Sequence, residues 1–282
     1  MMSANMQRPS MGLLHLQEGE KNFQLTRYAP SEDIAFFVKH FWIVSWDLTE
    51  QKQYLQEVVP NPCVNLIVQQ GRSGIFGAAK QKYSYLVEGK GCVFGAKFRP
   101  GGFYPFMQQP VSSLADHPLG IHDIFDIDGP AMEKLLLAQE EEAAMVELAE
   151  RFIKPKLPAQ DESVTLINQM VDWIIAQRDV TKVDQLCEAF HINKRTLQRL
   201  FDQYVGVTPK WVIQLYRLQN AAETLERSPS HDWTQLSLEL GYHDQSHFIK
   251  DFKAVVGVTP EQYASVDHGI NQVVAVPARS LK

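Results

Sequence analysis

The stretch Phe201-Asp-Gln-Tyr-Val-Gly-Val-Thr-Pro209 returns 51 residues later as Phe252-Lys-Ala-Val-Val-Gly-Val-Thr-Pro260. Each copy follows two short helical patterns separated by a turn, and the second pattern ends at the phenylalanine. Two helices joined by a short turn form a helix-turn-helix, and repetition at this spacing predicts two copies of that unit. Two such units in one chain can place helices in successive major grooves of a duplex. Binding of double-stranded DNA is therefore the leading hypothesis.

Length and composition predict a globular protein of about two domains. The chain has 282 residues, of which 45% are hydrophobic and 21% are charged, which is ordinary for a globular protein. No apolar run reaches the roughly 20 residues that a membrane helix needs, and no secretory signal is visible at the N-terminus. The three cysteines, Cys63, Cys92 and Cys187, are odd in number and far apart. A cytoplasmic protein without disulfides is expected.

The charge balance is unusual for a DNA-binding protein, which is expected to be basic. The formal net charge is −6. Residues 161–282 contain twelve basic and fifteen acidic residues, hence a net charge of −3. Net charge averages over every face of a domain, whereas DNA phosphates meet only one face. The position of the cations is therefore more informative than their number.

The N-terminal half predicts an α+β domain with a multi-stranded, mainly antiparallel sheet and helices at its C-terminal end. From Phe36 to Leu48 the sequence is rich in aromatic and β-branched residues and alternates as a strand does. Further short strands are predicted at 63–68, 74–78, 83–87 and 92–98, whereas residues 1–30 show little pattern. After Pro110 the pattern becomes helical, with apolar residues at helical spacing from Ala131 to Phe152 and Asp128 as a candidate N-cap.

The predicted domain boundaries follow from these changes of pattern. Residues 1–155 form a sensor domain that binds a ligand or mediates oligomerisation, and residues 156–162, with Pro158 and a polar run, form a linker. Residues 163–265 form an all-α domain that holds both helix-turn-helix units, joined by a long helix. That helix starts at Thr208-Pro209, where threonine is an N-cap and proline occupies the first helical position. Residues 266–282 form a tail.

The turns and caps of the two units can also be predicted. His191 lies at the turn of the first unit and Gly241 at that of the second, where a positive φ is expected. Asn193 and Asp244 precede the second helix of each unit and can cap it. Arg217, on the long connecting helix, is interpreted as an internal ion-pair partner rather than a DNA ligand.

The side chains that face outward from each second helix suit DNA recognition. Arginine forms bidentate hydrogen bonds with guanine, and glutamine does so with adenine. In the first unit the second helix carries Arg195 and Arg199, four residues apart and hence on one face. The outward set of the first unit is Lys194, Arg195, Gln198, Arg199 and Gln203, and that of the second unit is Gln245, Ser246, His247, Ile249 and Lys250. The second unit is expected to depend more on phosphate contacts and DNA shape, because it has one clear cation.

Residues 163–265 resemble the DNA-binding domain of the AraC/XylS family of bacterial transcription regulators. The segments that carry the resemblance are Arg195-Thr-Leu-Gln-Arg-Leu-Phe201, Gly206-Val-Thr-Pro209, Tyr216-Arg-Leu218, Leu240-Gly-Tyr242, Asp244-Gln-Ser-His-Phe248 and Gly257-Val-Thr-Pro260. The resemblance implies that each second helix enters the major groove. It places base contacts at Arg195, Gln198, Arg199, Ser246, His247 and Lys250. The partners that it implies are double-stranded DNA, RNA polymerase, a small-molecule effector and a second protomer. Lys250 stands where the family often has arginine, and His191 and Cys187 replace small residues.

A second, shorter resemblance lies in the N-terminal half. Val93-Phe-Gly-Ala-Lys-Phe-Arg-Pro-Gly-Gly102 resembles a signature of N-terminal sensor domains in some AraC-type regulators. Lys97 and Arg99 could bind an anionic ligand, whereas a strand edge followed by a structural turn is the alternative. Trp42, Trp46, Phe41, Phe103 and Tyr104 could line an apolar pocket, or they could be core residues of the sheet.

No catalytic, metal or cofactor motif is present in the sequence. Metal-ligand spacings, a nucleophile elbow and a Walker motif are all absent. The function expected first is a transcription regulator that is not an enzyme and needs no cofactor. Two alternatives are a DNA-targeted enzyme with its chemistry in residues 1–155, and a protein-interaction module whose helix pairs have lost DNA binding. The negative charge of residues 161–282 favours the second alternative.

Overall fold

A computed structural model describes residues 22–115, 117–227 and 233–265 of the chain. The N-terminal domain is built on a five-stranded sheet of order β1-β2-β7-β4-β5 and a separate two-stranded sheet, β3-β6, with every pair antiparallel. The strands are β1 Gln24–Tyr28, β2 Val38–Leu48, β3 Tyr54–Val58, β4 Asn65–Gln69, β5 Gly74–Phe76, β6 Tyr83–Val87 and β7 Gly89–Phe98. The predicted antiparallel sheet is confirmed.

Helices cover one face of the larger sheet. They are α1 Tyr104–Met107, α2 Ile121–Phe125, α3 Gly129–Leu137 and α4 Glu142–Ile153. Alternate residues of the central strands, such as Phe41 and Phe94, are fully buried against them. The opposite face carries the other alternate residues of β2, which are His40, Trp42, Val44 and Trp46, and two glycines of β7, Gly91 and Gly95. The sheet therefore has one apolar face that forms the core and one mixed face.

The C-terminal domain is entirely helical within the described residues. Its helices are α5 Glu162–Ala176, α6 Val183–Ala189, α7 Lys194–Leu200, α8 Pro209–Arg227, α9 Trp233–Glu239, α10 Gln245–Val256 and α11 Pro260–Ser265. Helix α7 continues as a single π-helical turn, Phe201–Val205. Helices α6 and α7 form the first helix-turn-helix unit, and α9 and α10 form the second. The predicted architecture of two units joined by a long helix is confirmed, with α8 as that helix.

Each unit has its own apolar core, and α8 contributes to both. The first core contains Leu186, Leu197 and Phe201, together with residues of α5 and the start of α8. The second core contains Phe248 and Phe252, together with residues from the later turns of α8. Because α8 is buried in both cores, it fixes the two units to one axis.

The turn and cap predictions are confirmed. His191 has a φ of 51° and Gly241 a φ of 68°. The side chain of Asn193 accepts a hydrogen bond from the backbone N–H of Thr196 at 2.9 Å, and the side chain of Asp244 caps α10 in the same way. Left-handed backbone is tolerated by histidine better than by most residues, which explains how His191 replaces glycine.

The structure adds detail to two parts of the N-terminal half. The helical pattern from Ala131 to Phe152 forms two helices, α3 and α4, separated at residues 138–141. Residues 1–30 show little pattern in the sequence, but Gln24–Tyr28 forms strand β1, paired with β2. Its isolated sequence has weak strand character, so pairing with β2 rather than local propensity stabilises it. The predicted tail, 266–282, lies outside the described residues. Among the described residues, no helix is long and apolar enough to cross a membrane.

Candidate nucleic-acid interface

Helix α7 presents one buried and one exposed face. Leu197 is fully buried in the first core and anchors the helix. The predicted DNA-binding residues of this helix, Lys194, Arg195, Gln198 and Arg199, are all exposed. The sequence therefore separates an apolar anchor from a polar surface on a helix of only two turns.

The cations of α7 differ in whether they have a partner. The Nζ atom of Lys194 lies 3.2 Å from Oδ1 of Asp184 on α6. Within the described part of the chain, Arg195 and Arg199 form no ion pair. The two arginines thus present unneutralised guanidinium groups to solvent, whereas Lys194 is partly neutralised by α6.

Helix α10 has the same division of faces. Phe248 is fully buried, Ser246, His247 and Lys250 are exposed, and Gln245 is half-buried. No described carboxylate lies within ion-pair distance of Lys250. This surface carries one permanent cation, Lys250, compared with three on α7, of which two have no acidic partner among the described residues.

Two residues of the C-terminal domain have roles that differ from the sequence interpretation. Gln203 was expected to face outward, but its side-chain amide donates a hydrogen bond to the hydroxyl of Tyr104 at 2.5 Å. Arg217 was interpreted as an ion-pair partner, but its guanidinium lies over the ring of Tyr242, 4.6 Å from the centroid. Its Nε and Nη2 atoms are buried and have no hydrogen-bond partner in the described part of the chain. A cation–π contact therefore replaces the expected ion pair.

Comparison with known proteins agrees with this geometry. Residues 186–265 match the family described as a helix-turn-helix domain, and residues 26–119 match a domain of unknown function, DUF6597. Residues 186–265 are an AraC-type helix-turn-helix domain. The AraC-type domain contains both units described above, from α6 to α11.

The relatives are similar to this chain over part of its length. An "Uncharacterized HTH-type transcriptional regulator" of Haemophilus influenzae is 33% identical over 81 residues, which cover 29% of this chain and 27% of that protein. The "HTH-type transcriptional regulator MtrA" of Neisseria gonorrhoeae is 30% identical over 98 residues, covering 35% and 31% of the two chains. The "HTH-type transcriptional activator RhaS" of Salmonella schwarzengrund is 23% identical over 161 residues, covering 56% and 57%. The chain thus spans between about a quarter and three-fifths of the length of these relatives.

Solved structures show weaker similarity. The C-terminal domain of AraT, a response regulator from Geobacillus stearothermophilus, is 23% identical, with a TM-score of 0.32 and coverage of 38% of this chain and 88% of that one. Fatty-acid-bound ToxT from Vibrio cholerae is 10% identical, with a TM-score of 0.36 and coverage of 92% and 97%. At these values no property of either protein transfers to this chain.

The N-terminal domain contacts the first unit of the AraC-type domain through its signature turn. The side chain of Asn168 on α5 donates a hydrogen bond to the carbonyl oxygen of Pro100 at 3.0 Å. The rings of Tyr104 and Tyr204 lie 4.3 Å apart, next to the hydrogen bond between Tyr104 and Gln203. The backbone of this signature thus forms a structural turn, which was the alternative to anion binding in the sequence analysis. That turn lies at the boundary between the domains.

The N-terminal domain makes a second contact with the first unit at Gly206, the glycine of the first Gly-Val-Thr-Pro repeat. Gly206 ends the π turn with a φ of 82°, and a Cβ atom at this position would lie 2.9 Å from the carbonyl oxygen of Val111. Val111 begins a short 3-10 turn of the N-terminal domain. The glycine of the first Gly-Val-Thr-Pro repeat is therefore required both by its left-handed backbone and by the approach of the other domain.

The N-terminal domain also reaches the second unit. Val59, which is 4% exposed, is part of the second core. The side-chain amide of Gln219 on α8 donates a hydrogen bond to the carbonyl oxygen of Pro60 at 3.4 Å. The side chain of Lys82 lies directly over Gly257, the cap of the second Gly-Val-Thr-Pro repeat. Both repeated caps of the AraC-type domain are thus covered by the N-terminal domain.

The predicted ligand-binding residues of the N-terminal domain do not form a single cluster. Phe103 is buried in the core, Tyr104 lies at the domain boundary, and the Nε atom of Arg99 donates a hydrogen bond to the carbonyl oxygen of Ala35 at 2.7 Å. Trp42 and Trp46 lie on the mixed face of the sheet, where their rings cover two glycines of β7, Gly95 and Gly91. The ligand-binding role of these residues stays a prediction.

Lys97 is the unusual member of this set. It is 8% exposed, and no carboxylate of the described residues is within ion-pair distance. Its neighbours across the sheet are His40 on β2 and Asn65 on β4. Burial lowers the pKa of Lys97, and the positive charges of Lys39 and Arg27 lower it further. An unpaired buried cation is costly, so burial favours the neutral form of the Lys97 side chain.

The environment of His40 predicts a loss of stability in acid. Burial and the charge of Lys97 lower the pKa of His40 from 6.5 to about 3. As the pH falls below 6.5, the unfolded chain binds a proton that the folded chain does not. The free energy of unfolding should therefore fall by up to about 1.4 kcal/mol per pH unit between pH 6.5 and pH 3.

Denaturant unfolding of His40→Gln and the original chain across this pH range measures the effect. The variant should lose less stability than the original chain as the pH falls. His122→Gln, at an exposed position of α2, is the matched control and should follow the original chain. Parallel pH profiles for the original chain and His40→Gln would contradict the assignment.

Proposed function

We propose that this protein is a DNA-binding transcription regulator that recognises double-stranded DNA through α7 and α10. The observation that carries the proposal is the exposed face of α7, where Arg195 and Arg199 have no acidic partner among the described residues. Its opposite face is anchored in the core by Leu197. The match of residues 186–265 to an AraC-type domain supports the same function.

The two units are proposed to bind DNA with different chemistry. Arg195, Gln198 and Arg199 present guanidinium and amide groups that can form bidentate contacts with base edges. On α10, Ser246, His247 and Lys250 offer single hydrogen bonds and one point charge. Lys194 and Gln245, at the first turn of each helix, are positioned for backbone phosphates. The first unit then contributes most of the sequence preference.

The N-terminal domain is proposed to control the AraC-type domain through its contacts with both units. It touches the first unit at Gly206 and Tyr204 and the second unit at Gly257 and the core around Val59. A rigid body that holds both units biases the relative orientation of α7 and α10. A ligand or partner that binds one orientation of α7 and α10 more tightly than another would shift the protein toward that orientation. The difference between its two binding free energies limits how far it can change the affinity for DNA.

The proposed partners other than DNA act through the N-terminal domain or at the promoter. An anionic small-molecule effector fits the unpaired charge of Lys97. A second protomer and RNA polymerase are proposed because regulators of this type act at promoters. A cytoplasmic location in a bacterium follows from DNA as the partner and agrees with the bacterial relatives.

A catalytic role is not proposed for the N-terminal half. An enzyme with cysteine chemistry needs a thiol whose pKa is lowered, because the thiolate is the nucleophile. Burial raises the pKa of Cys92 to about 11, and it also raises the pKa of Cys63 and of Cys187. All three thiols are therefore protonated at neutral pH, which argues against the DNA-targeted enzyme.

The proposal predicts duplex binding that weakens steeply with salt. Phosphate contacts release counterions, so three such contacts should lower the affinity roughly 40-fold between 50 and 200 mM salt. Fluorescence anisotropy of the full chain with a pool of random duplexes measures this slope. The protein-interaction module, in contrast, predicts no binding to any duplex at 50 mM salt, and that result would remove the proposed function.

A further inference from the structure

The first turn of α10 contains a contact that its role as a helix cap does not require. Oδ1 of Asp244 accepts a hydrogen bond from the backbone N–H of His247 at 2.9 Å, which is the capping contact. Oδ2 of the same carboxylate lies 2.5 Å from Nδ1 of the His247 ring. One carboxylate thus holds both the backbone and the ring of His247, while 75% of the His247 side chain stays exposed.

The ionisation of Asp244 determines where the proton of the ring lies. The hydrogen bond from the backbone N–H of His247, followed by the contact with its ring, lowers the pKa of Asp244. The carboxylate is therefore ionised at neutral pH, and an ionised carboxylate only accepts hydrogen bonds. The ring must donate, so Nδ1 carries a hydrogen.

Fixing the hydrogen on Nδ1 decides what the ring can offer to DNA. With the hydrogen on Nδ1, neutral His247 has a bare Nε2 lone pair, and only the imidazolium form has an Nε2–H group. The neutral tautomer that would donate from Nε2 is excluded. In the neutral form Nε2 can therefore accept from the amino group of cytosine or adenine, the two exocyclic donors of the major groove.

The first unit shows that this second contact is separate from capping. Asn193 occupies the same cap position before α7, and its side chain accepts a hydrogen bond from the backbone N–H of Thr196. Thr196 is half-buried and is not among the outward residues. The cap of the first unit therefore has no exposed ring to orient.

We propose that Asp244 is a positioning residue for base recognition by the second unit, because it fixes the ring orientation and tautomer of His247. This inference rests on the proposed function, since it assumes that α10 faces base edges. Asp244 would then contribute to base specificity although its own negative charge repels the DNA phosphates.

The opposing effects of charge and positioning make the inference testable with Asp244→Ser. Serine is a good N-cap, so α10 is retained, but its single oxygen cannot hold the ring. Loss of the negative charge should leave the affinity for unrelated duplexes unchanged or higher. Loss of the oriented ring should reduce preference at one base pair by roughly three- to tenfold, the worth of one hydrogen bond.

Selection of duplexes from a random pool by the full chain, followed by sequencing, gives the base preference of each variant. Asn193→Ser is the matched control, because it exchanges a cap without an attached ring, and its profile should equal the original. His247→Ala and the double variant Asp244→Ser/His247→Ala complete a double-mutant cycle. The effect of Asp244→Ser on preference should vanish when His247 is already alanine.

Two results would overturn the inference alone. One is an unchanged base profile for Asp244→Ser, and the other is a pair of additive effects in the cycle, which would make Asp244 a cap only. A third result, in which the original chain binds duplexes but selects no sequence, would overturn base recognition in the proposed function and this inference with it. A flattened preference at one base pair that depends on His247 supports both.

Discussion

Replacing both Arg195 and Arg199 with alanine is expected to lower the affinity of the full chain for its selected duplex by roughly 10²- to 10⁴-fold. Each arginine in a bidentate contact with guanine contributes about 1–3 kcal/mol, and 1.4 kcal/mol is a factor of ten. Both side chains are exposed and without an acidic partner among the described residues, so no internal ion pair has to be broken to bind DNA. Neither contributes to the buried core of the unit, so folding should be retained.

Titration of the original chain and of the double variant with the selected duplex, and with a scrambled duplex of the same length, measures the change in affinity. The loss should be larger for the selected duplex, whereas the salt slope should change little, because the slope counts phosphate contacts and not base contacts. Arg151→Ala is the control, because Arg151 is an exposed arginine of the N-terminal domain paired with Glu147 at 3.8 Å. Equal losses on both duplexes would mean that the arginines contact phosphates and read no bases.

Gly206→Ala is expected to destabilise the first unit by about 3 kcal/mol. A left-handed backbone costs an alanine roughly 1–2 kcal/mol, and Gly206 has a φ of 82°. The added methyl group would also lie 2.9 Å from the carbonyl oxygen of Val111, so the two domains must move apart. Such overpacking costs roughly 1–3 kcal/mol more.

Gly71→Ala separates these two causes. Gly71 has a φ of 71° and nothing within 4 Å of its Cβ position, so it should lose only the backbone part, about 1 kcal/mol. Hydrogen exchange of the amides in α7 and in the strands reports the local free energy of opening for each variant. If Gly206→Ala cost no more than Gly71→Ala, the closeness of Val111 to the cap would have no energetic consequence.

The negative net charge does not conflict with DNA binding once the surface of the units is considered. Asp184 neutralises one cation of the first unit, and Asp244 is held by His247 on the second. Arg195 and Arg199, which have no acidic partner among the described residues, both lie on the outward face of α7. A chain with a net charge of −6 can therefore present a local basic surface, at the cost of weaker attraction at long range.

The helical domain could be predicted closely because its signals are local. The caps at Asn193 and Asp244, and the positive φ at His191, depend on contacts within four residues along the chain. The exposed positions of α7 follow from its short apolar periodicity alone. Where prediction failed in this domain, at Gln203 and Arg217, the deciding partner was distant in sequence: Tyr104 is 99 residues away from Gln203.

The N-terminal domain was predicted less well because its contacts are long-range. Strand β1 exists through its pairing with β2, and the row of His40, Lys97 and Asn65 is formed by three strands distant in sequence. The spacing of residues along one strand cannot indicate which side chains lie beside them on the next. The sequence singled out Lys97, but only the sheet showed that it has no acidic partner among the described residues.

The amino-acid sequence by itself determined the duplicated helix-turn-helix, its caps and the cations on α7, because helix formation depends on residues three and four positions apart. Only the tertiary structure decided that the N-terminal domain covers both repeated glycines, that Gln203 belongs to the domain boundary and that Asp244 holds the ring of His247. Those contacts depend on distances between segments far apart in the chain, or on the direction of a side chain. Folding in three dimensions sets both of these, and sequence spacing does not.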